Sequence, residues 1–187
     1  YYYIKENLDI KIDEEIISPF DILFTDEADN NGKLNENEWR GKSTRWIEKP
    51  KNLLLDSEND VSAKIEVTQL PYPPIYGLEE SGKDAEIRKK YRIEAGNYGF
   101  YVYRNKRLIS WSERFGIVPQ HGSLYGFRGR ILIDESADDA FNIDVKKSEI
   151  TLSEDAERTL SDYSAEYKSK SRKAWQNAIS IRKDREG

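Results

Sequence analysis

The chain has 187 residues and no cysteine, so disulfide bonds, thiol catalysis and cysteine-ligated zinc are excluded. Its 35 acidic and 30 basic side chains give a formal charge of −5, which disfavours a dedicated nucleic-acid clamp but allows a local basic patch. No apolar run approaches the ~18 residues of a membrane span, so no membrane partner is expected. No signal-peptide pattern opens the chain, and the expected location is cytoplasmic, or nuclear in a eukaryote.

The low apolar content predicts that part of the chain is solvated or extended. Hydrophobic residues make up 37% of the sequence and charged residues 35%. The chain starts at Tyr1 and contains no methionine, which indicates a fragment of a longer protein. We expect a loop-rich segment over residues 1–60, an α+β domain over 61–152, and a C-terminal helix with a solvated basic extension over 153–187.

Apolar and polar residues alternate in the first part of the chain, as in strands. Leu8, Ile10 and Ile12 alternate with charged residues and predict a half-buried strand. Residues 13–60 are expected to be irregular, with Pro50 separating two short apolar patches. The alternation in residues 63–68 then predicts a second strand.

The second half of the chain adds helices and further strands. Residues 81–95 predict a short helix, which Ser81 or Asp84 caps and Gly96 closes. Residues 125–133 alternate again and predict a strand. We expect an α+β fold with a mostly antiparallel sheet and flanking helices.

A final helix is predicted to begin at Ser153. It carries one narrow apolar stripe, formed by Ala156, Leu160, Tyr163 and Tyr167. Four of the six residues in 168–173 are basic, and we expect this extension to become ordered only against a partner.

Residues 99–111 read as a β-hairpin with a basic tip. Asn105 is the expected turn residue, because asparagine tolerates the left-handed conformation of tight hairpins. If the hairpin pairs with the 125–133 strand, five cations could share one surface: Arg104, Lys106, Arg107, Arg128 and Arg130. With aromatic residues between them, this surface is a candidate nucleic-acid platform. The alternative is that the arginines line the solvent-exposed face of the sheet and bind no ligand.

Two other candidate sites have weaker support. An oxygen-rich loop with an EF-hand-like spacing contains Glu27, Asp29, Asn31 and Glu38. It has no paired second loop, and we expect no metal site. His121 is the only histidine and has no nucleophile motif beside it, so we expect an exposed loop residue.

The hairpin sequence Gly99-Phe-Tyr-Val-Tyr-Arg-Asn-Lys-Arg-Leu-Ile resembles the GxxxYxxNRLI hairpin of GHKL-type ATPases, closest to the MORC branch. This hairpin belongs to the second, or transducer, domain of that family. The resemblance covers about residues 8–163 and includes the strand–loop–lysine–helix order at its end. It implies a ribosomal-protein-like fold with a left-handed βαβ element.

The same resemblance assigns a role to a lysine between the last strand and the last helix. In the family, this lysine enters the neighbouring ATP site and touches the γ-phosphate. The matching position is Lys147, with Lys146 as the alternative. From the residues alone, a solvated loop is the better explanation of the two lysines.

No Glu-x-x-x-Asn-x-x-Asp helix, Asp-x-Gly-x-Gly turn or glycine-rich lid occurs in the sequence. The resemblance therefore implies a fragment that is not catalytic alone, and ATP and Mg²⁺ are expected only in a parent protein with its ATP-binding lobe. The implied partners are that preceding ATP-binding domain and a second copy in a homodimer, with DNA as a further candidate. The alternative function is a non-catalytic module that binds nucleic acid or protein through the basic hairpin face.

Overall fold

The computed structural model describes residues 1, 2, 5, 10–31, 38–143 and 150–186. The strands are β1 (Lys11–Ile12), β2 (Glu15–Ile16), β3 (Arg45–Asp56), β4 (Val61–Gln69), β5 (Gly99–Arg104), β6 (Arg107–Glu113) and β7 (Phe127–Ile133). The helices are α1 (Thr25–Asn30), α2 (Pro74–Gly77), α3 (Lys83–Tyr91) and α4 (Glu154–Glu186), with 3₁₀ turns at Gly122–Leu124 and Glu135–Ala137.

Five strands form one open mixed sheet in the order β3-β4-β7-β5-β6, and β1 pairs with β2 separately. The pairs β3–β4, β4–β7 and β5–β6 are antiparallel, whereas β5–β7 is parallel. The predicted α+β fold with a mostly antiparallel sheet is confirmed. The parallel strands are joined through β6 and the 3₁₀ turn at Gly122–Leu124. The left-handed βαβ element stays a prediction.

Strand β3 corrects the expectation that residues 13–60 are loop-rich. It is an edge strand of 12 residues that runs through Pro50. Proline is tolerated there because the pairing with β4 shifts register between Glu48 and Lys51, and an edge strand needs no second ladder. The half-buried strand predicted at residues 8–12 is also corrected, since Ile12 is 60% exposed and residues 6–9 lie outside the described part of the chain.

The β5–β6 hairpin forms as predicted. Asn105 and Lys106 have φ angles of 47° and 67°, the positive values that a two-residue hairpin turn requires at both central positions.

The main sheet presents two different faces. One face is apolar and includes Ile65, Val67, Phe100 and Ile131, which belong to the largest buried cluster. Helix α4 covers it through Ala156, Leu160 and Tyr167 of the same cluster. Burying this apolar surface is the main source of stability for the layer.

The second half of α4 corrects the prediction that the helix loses its packing after Lys168. Ala174, Trp175 and Ala178 are buried in a second cluster together with Trp39 and Leu70. Ser171 is also buried, and its hydroxyl donates a hydrogen bond to the Gln69 side-chain oxygen. The buried stripe continues through small residues, which let the helix approach the sheet closely, so its width was underestimated from the large apolar residues alone.

Helix α3 differs from the prediction at both ends. It begins after Gly82, which has a φ of 83°, and no side chain in the described part of the chain caps it. It ends at Tyr91, and the residue that closes it is Arg92, in the left-handed conformation, and not Gly96 as predicted. The carbonyl of this terminal arginine is held by a buried partner described below.

Candidate functional site

The second face of the sheet carries a buried ionic network. Glu66 on β4 lies directly opposite Arg130 on β7, and a guanidinium nitrogen of Arg130 donates to its carboxylate over 2.8 Å. Arg130 also donates to Asp21 and, over 3.0 Å, to the Tyr2 hydroxyl. The arginine side chain is 3% exposed, so the segment before β3 closes this face.

The protonation of this network follows from burial and charge. Burial lowers the pKa of Arg130, but Asp21 and Glu66 raise it further, and the net pKa lies above its ordinary value. Burial raises the pKa of Glu66, and Arg130 opposes that shift. Burial also raises the pKa of Tyr2 to about 12. At neutral pH the arginine and the phenol therefore remain protonated.

Arg128 lies two residues before Arg130 on β7, on the same face of the sheet, and is completely buried. Its guanidinium donates to the carbonyls of Tyr125 and Phe127 over 2.8 and 3.1 Å, and to the carbonyl of Arg92 over 2.9 Å. Burial lowers the pKa of Arg128 to about 10, and Tyr101 and Glu94 oppose the shift. Arg128 therefore fixes the end of α3 to the start of β7.

These positions correct the expected basic surface. Arg128 and Arg130 are buried and do not join the hairpin cations on the exterior. Arg104 forms a bidentate pair with Asp138, with distances of 2.6 and 2.8 Å. Lys106 and Arg107 are exposed at the hairpin tip. The five predicted cations therefore lie in three different environments.

A groove that sequence reasoning did not identify lies on the same side of the sheet. One cavity of about 340 Å³ is lined by aromatic and aliphatic side chains that include Phe20, Tyr101, Tyr103, Leu108 and Trp111. A second cavity of about 800 Å³ is lined by residues that include Arg88, Lys89 and Glu94. Both cavities are lined by Arg92 and Asn97, and we call the combined feature the aromatic–basic groove.

Irregular pairing brings two β6 side chains into this groove. The β5–β6 pairing shifts register between Val102 and Tyr103, and again between Phe100 and Val102. Leu108 and Trp111, three positions apart, consequently line the same cavity. Bulges often re-aim side chains in this way beside functional sites. Strict alternation along β6 would not have predicted that Leu108 and Trp111 share a cavity. The sequence signals for the groove were the aromatic residues of the hairpin, Tyr101, Tyr103 and Trp111.

The predicted lysines Lys146 and Lys147 lie outside the described residues. The residues on either side of them are held by hydrogen bonds and by packing in the core. Asn142 donates from its amide to the Thr151 carbonyl and hydroxyl over 3.3 and 3.1 Å, and the Ser153 amide donates to the Ala140 carbonyl over 2.8 Å. Phe141 is fully buried in the main cluster. The two ends of the segment are thus joined to each other and to the core.

The candidate calcium residues are engaged by protein donors. Glu27 accepts from the Thr44 amide over 2.9 Å and from the Tyr91 hydroxyl over 2.8 Å. Asp29 accepts from the Trp46 indole over 2.9 Å, and Asn31 donates to the Thr44 carbonyl over 3.0 Å. Glu38 also has a partner, while residues 32–37 are outside the described part. Within the described ranges, no group of three or more His, Asp or Glu side chains could hold a metal ion.

His121 is exposed, as predicted, and its Nδ1 contacts the Ser123 hydroxyl over 2.7 Å and accepts from the Ser123 amide over 3.2 Å. The ring therefore caps the 3₁₀ turn at Gly122–Leu124. This role is structural.

Comparisons with known proteins return no match: no family model, no curated protein and no solved structure matches the chain. None of the helices in the described residues is long and apolar enough to cross a membrane.

Proposed function

We propose that this chain is the transducer domain of a larger GHKL-type ATPase and couples ATP binding and hydrolysis to the conformation of a dimer. The proposal rests on the hairpin and strand–loop–lysine–helix resemblance. The single structural observation that supports it most concerns the segment that carries Lys146 and Lys147. The residues just before and just after this segment are hydrogen bonded to each other. A phosphate-sensing lysine can affect the domain only if its segment is anchored in rigid elements.

The anchoring reaches both layers of the domain. On the β7 side, Phe141 packs in the main cluster, and on the α4 side Ser153 hydrogen bonds back to Ala140. A displacement of the segment between these anchors would therefore act on the sheet and on the start of α4 together. This is the arrangement that a nucleotide-biased two-state element requires.

In the proposed mechanism, ATP and Mg²⁺ bind in the parent protein's nucleotide lobe and not in this chain. The ammonium group of Lys147, or of Lys146, lies beside the γ-phosphate when the two domains close, and stabilises negative charge there. Loss of the γ-phosphate removes the partner of the lysine. The sheet and α4 then lose one contact with the nucleotide lobe, and the closed dimer is disfavoured.

The test is ATP turnover and nucleotide affinity in the parent protein. Lys147→Ala should lower kcat by roughly 10²-fold, the scale of losing one charge-stabilising group, with a smaller effect on affinity. Lys64→Ala, at an exposed position on β4, is the matched control and should change neither. Unchanged turnover in both Lys147→Ala and Lys146→Ala would contradict the proposal.

Asn142→Gly tests the anchoring separately. Asn142 has a φ of 43°, which glycine adopts without strain, so the substitution removes mainly the hydrogen bonds to Thr151. Turnover should fall while the melting temperature changes little. The alternative function, binding through a basic hairpin face, loses support because Arg128 and Arg130 are buried.

A further inference from the structure

We infer that the aromatic–basic groove binds single-stranded nucleic acid, with bases stacked on Trp111 and the phosphate backbone on the cations at the end of α3. This inference does not rest on the ATPase proposal. It also differs from the platform expected from the sequence, because the hairpin arginines take no part in it.

The first argument is the exposed aromatic surface. Trp111 is 67% exposed and Leu108 is 40% exposed, although both line a cavity whose other walls include Tyr101 and Tyr103. A large exposed apolar side chain in a concave aromatic setting is typical of a binding site. Tyr101 and Tyr103 are each only 5% exposed and form the floor of the cavity, so the surface available for stacking is the indole of Trp111. A planar indole accepts any nucleobase by stacking, whatever its sequence.

The second argument is the charge at the adjoining end of the groove. Arg88, Lys89 and Arg92 form no ion pair with any carboxylate in the described residues, whereas Lys83 at the start of the same helix pairs with Glu86 over 2.8 Å. Among the described residues, Glu94 is the one carboxylate that lines this end, and it accepts a hydrogen bond from Asn97 over 2.6 Å. Three cations and one carboxylate leave a positive surface suited to phosphates.

The third argument is that the aromatic cavity and the basic cavity meet at Arg92 and Asn97, two residues that are held by contacts with the rest of the fold. Arg92 lies over the Phe20 ring, 4.4 Å from its centroid, and its carbonyl is held by the buried Arg128. Asn97 accepts from the Tyr101 hydroxyl over 2.7 Å. Both residues line both cavities. A positive track beside stacking surfaces is the arrangement by which proteins bind single strands.

The inference is tested by fluorescence anisotropy of the chain with an end-labelled oligothymidine of about 16 nucleotides and with a duplex of the same length. We expect binding at about 50 mM salt that weakens at about 200 mM and favours the single strand over the duplex. Trp111→Ala should weaken single-strand binding about fivefold or more, since that is the lower bound for losing one stacked base. Tyr163→Ala, at an exposed aromatic residue of α4 outside the groove, should leave binding unchanged.

Charge-reversal substitutions test the basic end of the groove separately from its aromatic end. Arg88→Glu with Lys89→Glu should weaken binding and make the salt dependence shallower, while Arg172→Glu with Lys173→Glu, at exposed α4 positions, should not. Absence of binding at low salt, equal affinity for duplex and single strand, or full affinity in Trp111→Ala would overturn the inference. An acidic tyrosine-containing peptide that quenches tryptophan fluorescence in the unmodified chain but not in Trp111→Ala, without oligonucleotide binding, would instead assign the groove to a protein partner and also overturn the inference.

Discussion

The carboxylate of Asp21 accepts a hydrogen bond from the guanidinium of Arg130, which joins the segment before β3 to the central strand of the sheet. The same carboxylate accepts from the backbone amides of Leu23 and Thr25 over 3.1 and 3.0 Å. One side chain therefore orders the start of α1 and neutralises a buried cation.

Asp21→Ala should destabilise the fold by about 1.5–3 kcal/mol, because it removes a charged hydrogen-bond partner of the buried Arg130 and leaves Glu66 as its one carboxylate partner among the described residues. Urea denaturation measures this change. Asp26→Ala is the control: Asp26 is 85% exposed, its carboxylate lies 3.7 Å from Lys5, and its loss should cost less than about 1 kcal/mol. Equal effects of the two substitutions would contradict the central role of the Arg130 network.

Gly129→Ala should disrupt the apolar face of the sheet. A Cβ at this position would lie 2.4 Å from the Phe100 ring, which is itself fully buried. Overpacking of this kind costs about 1–3 kcal/mol. Gly96→Ala is the matched control, since a Cβ there meets nothing within 4 Å, and its unfolding free energy should be unchanged or slightly higher. A neutral Gly129→Ala would indicate that Phe100 has room to move.

Trp175→Ala should cost about 3–5 kcal/mol, the usual range for a buried tryptophan. Trp175 is 6% exposed and packs against the Tyr72 ring with a centroid distance of 4.8 Å. Native-state hydrogen exchange should correspondingly show protection near Ala174 and Ala178, well beyond Lys168. Rapid exchange there in the intact chain, together with a small effect of Trp175→Ala, would restore the expectation of an unpacked extension.

The fold should lose stability as the pH rises from about 10 to about 12. Burial raises the pKa of both Tyr2 and Tyr76 from 10.0 to about 12, and burial together with Glu27 raises the pKa of Tyr91. The unfolded chain releases these protons near pH 10 while the folded chain keeps them, so the stabilisation is complete below that pH and is lost above it. Urea denaturation across this range measures the slope. Tyr76→Phe should make the slope shallower, and an identical slope would contradict the assignment.

The sequence allowed prediction of the elements that local pattern determines. The β5–β6 turn follows from Asn105, and β4 and β7 follow from alternation. The predictions that were wrong concern features that depend on tertiary context. Strand β3 tolerates Pro50 only because it is an edge strand with a shifted register. Likewise, the burial of Ser171 in α4 cannot be read from its polarity, since it depends on Gln69 from a distant strand.

The candidate sites show the same division. Alternation predicted that Arg128 and Arg130 share a face, but not that the segment around Asp21 covers that face. The groove required the register shifts of β6, which bring Leu108 and Trp111 together, and no local sequence signal specifies such shifts.

Helix α4 also determines when the protein can complete its fold during synthesis. It contributes Ala156 and Leu160 to one buried cluster and Ala174 and Trp175 to the other, yet it is made after every strand of the sheet. As the chain leaves the ribosome, the apolar face of the finished sheet therefore stays uncovered until this helix emerges. Intermediates with such exposed surfaces are prone to aggregate, and the nascent domain should depend on chaperone protection until α4 docks.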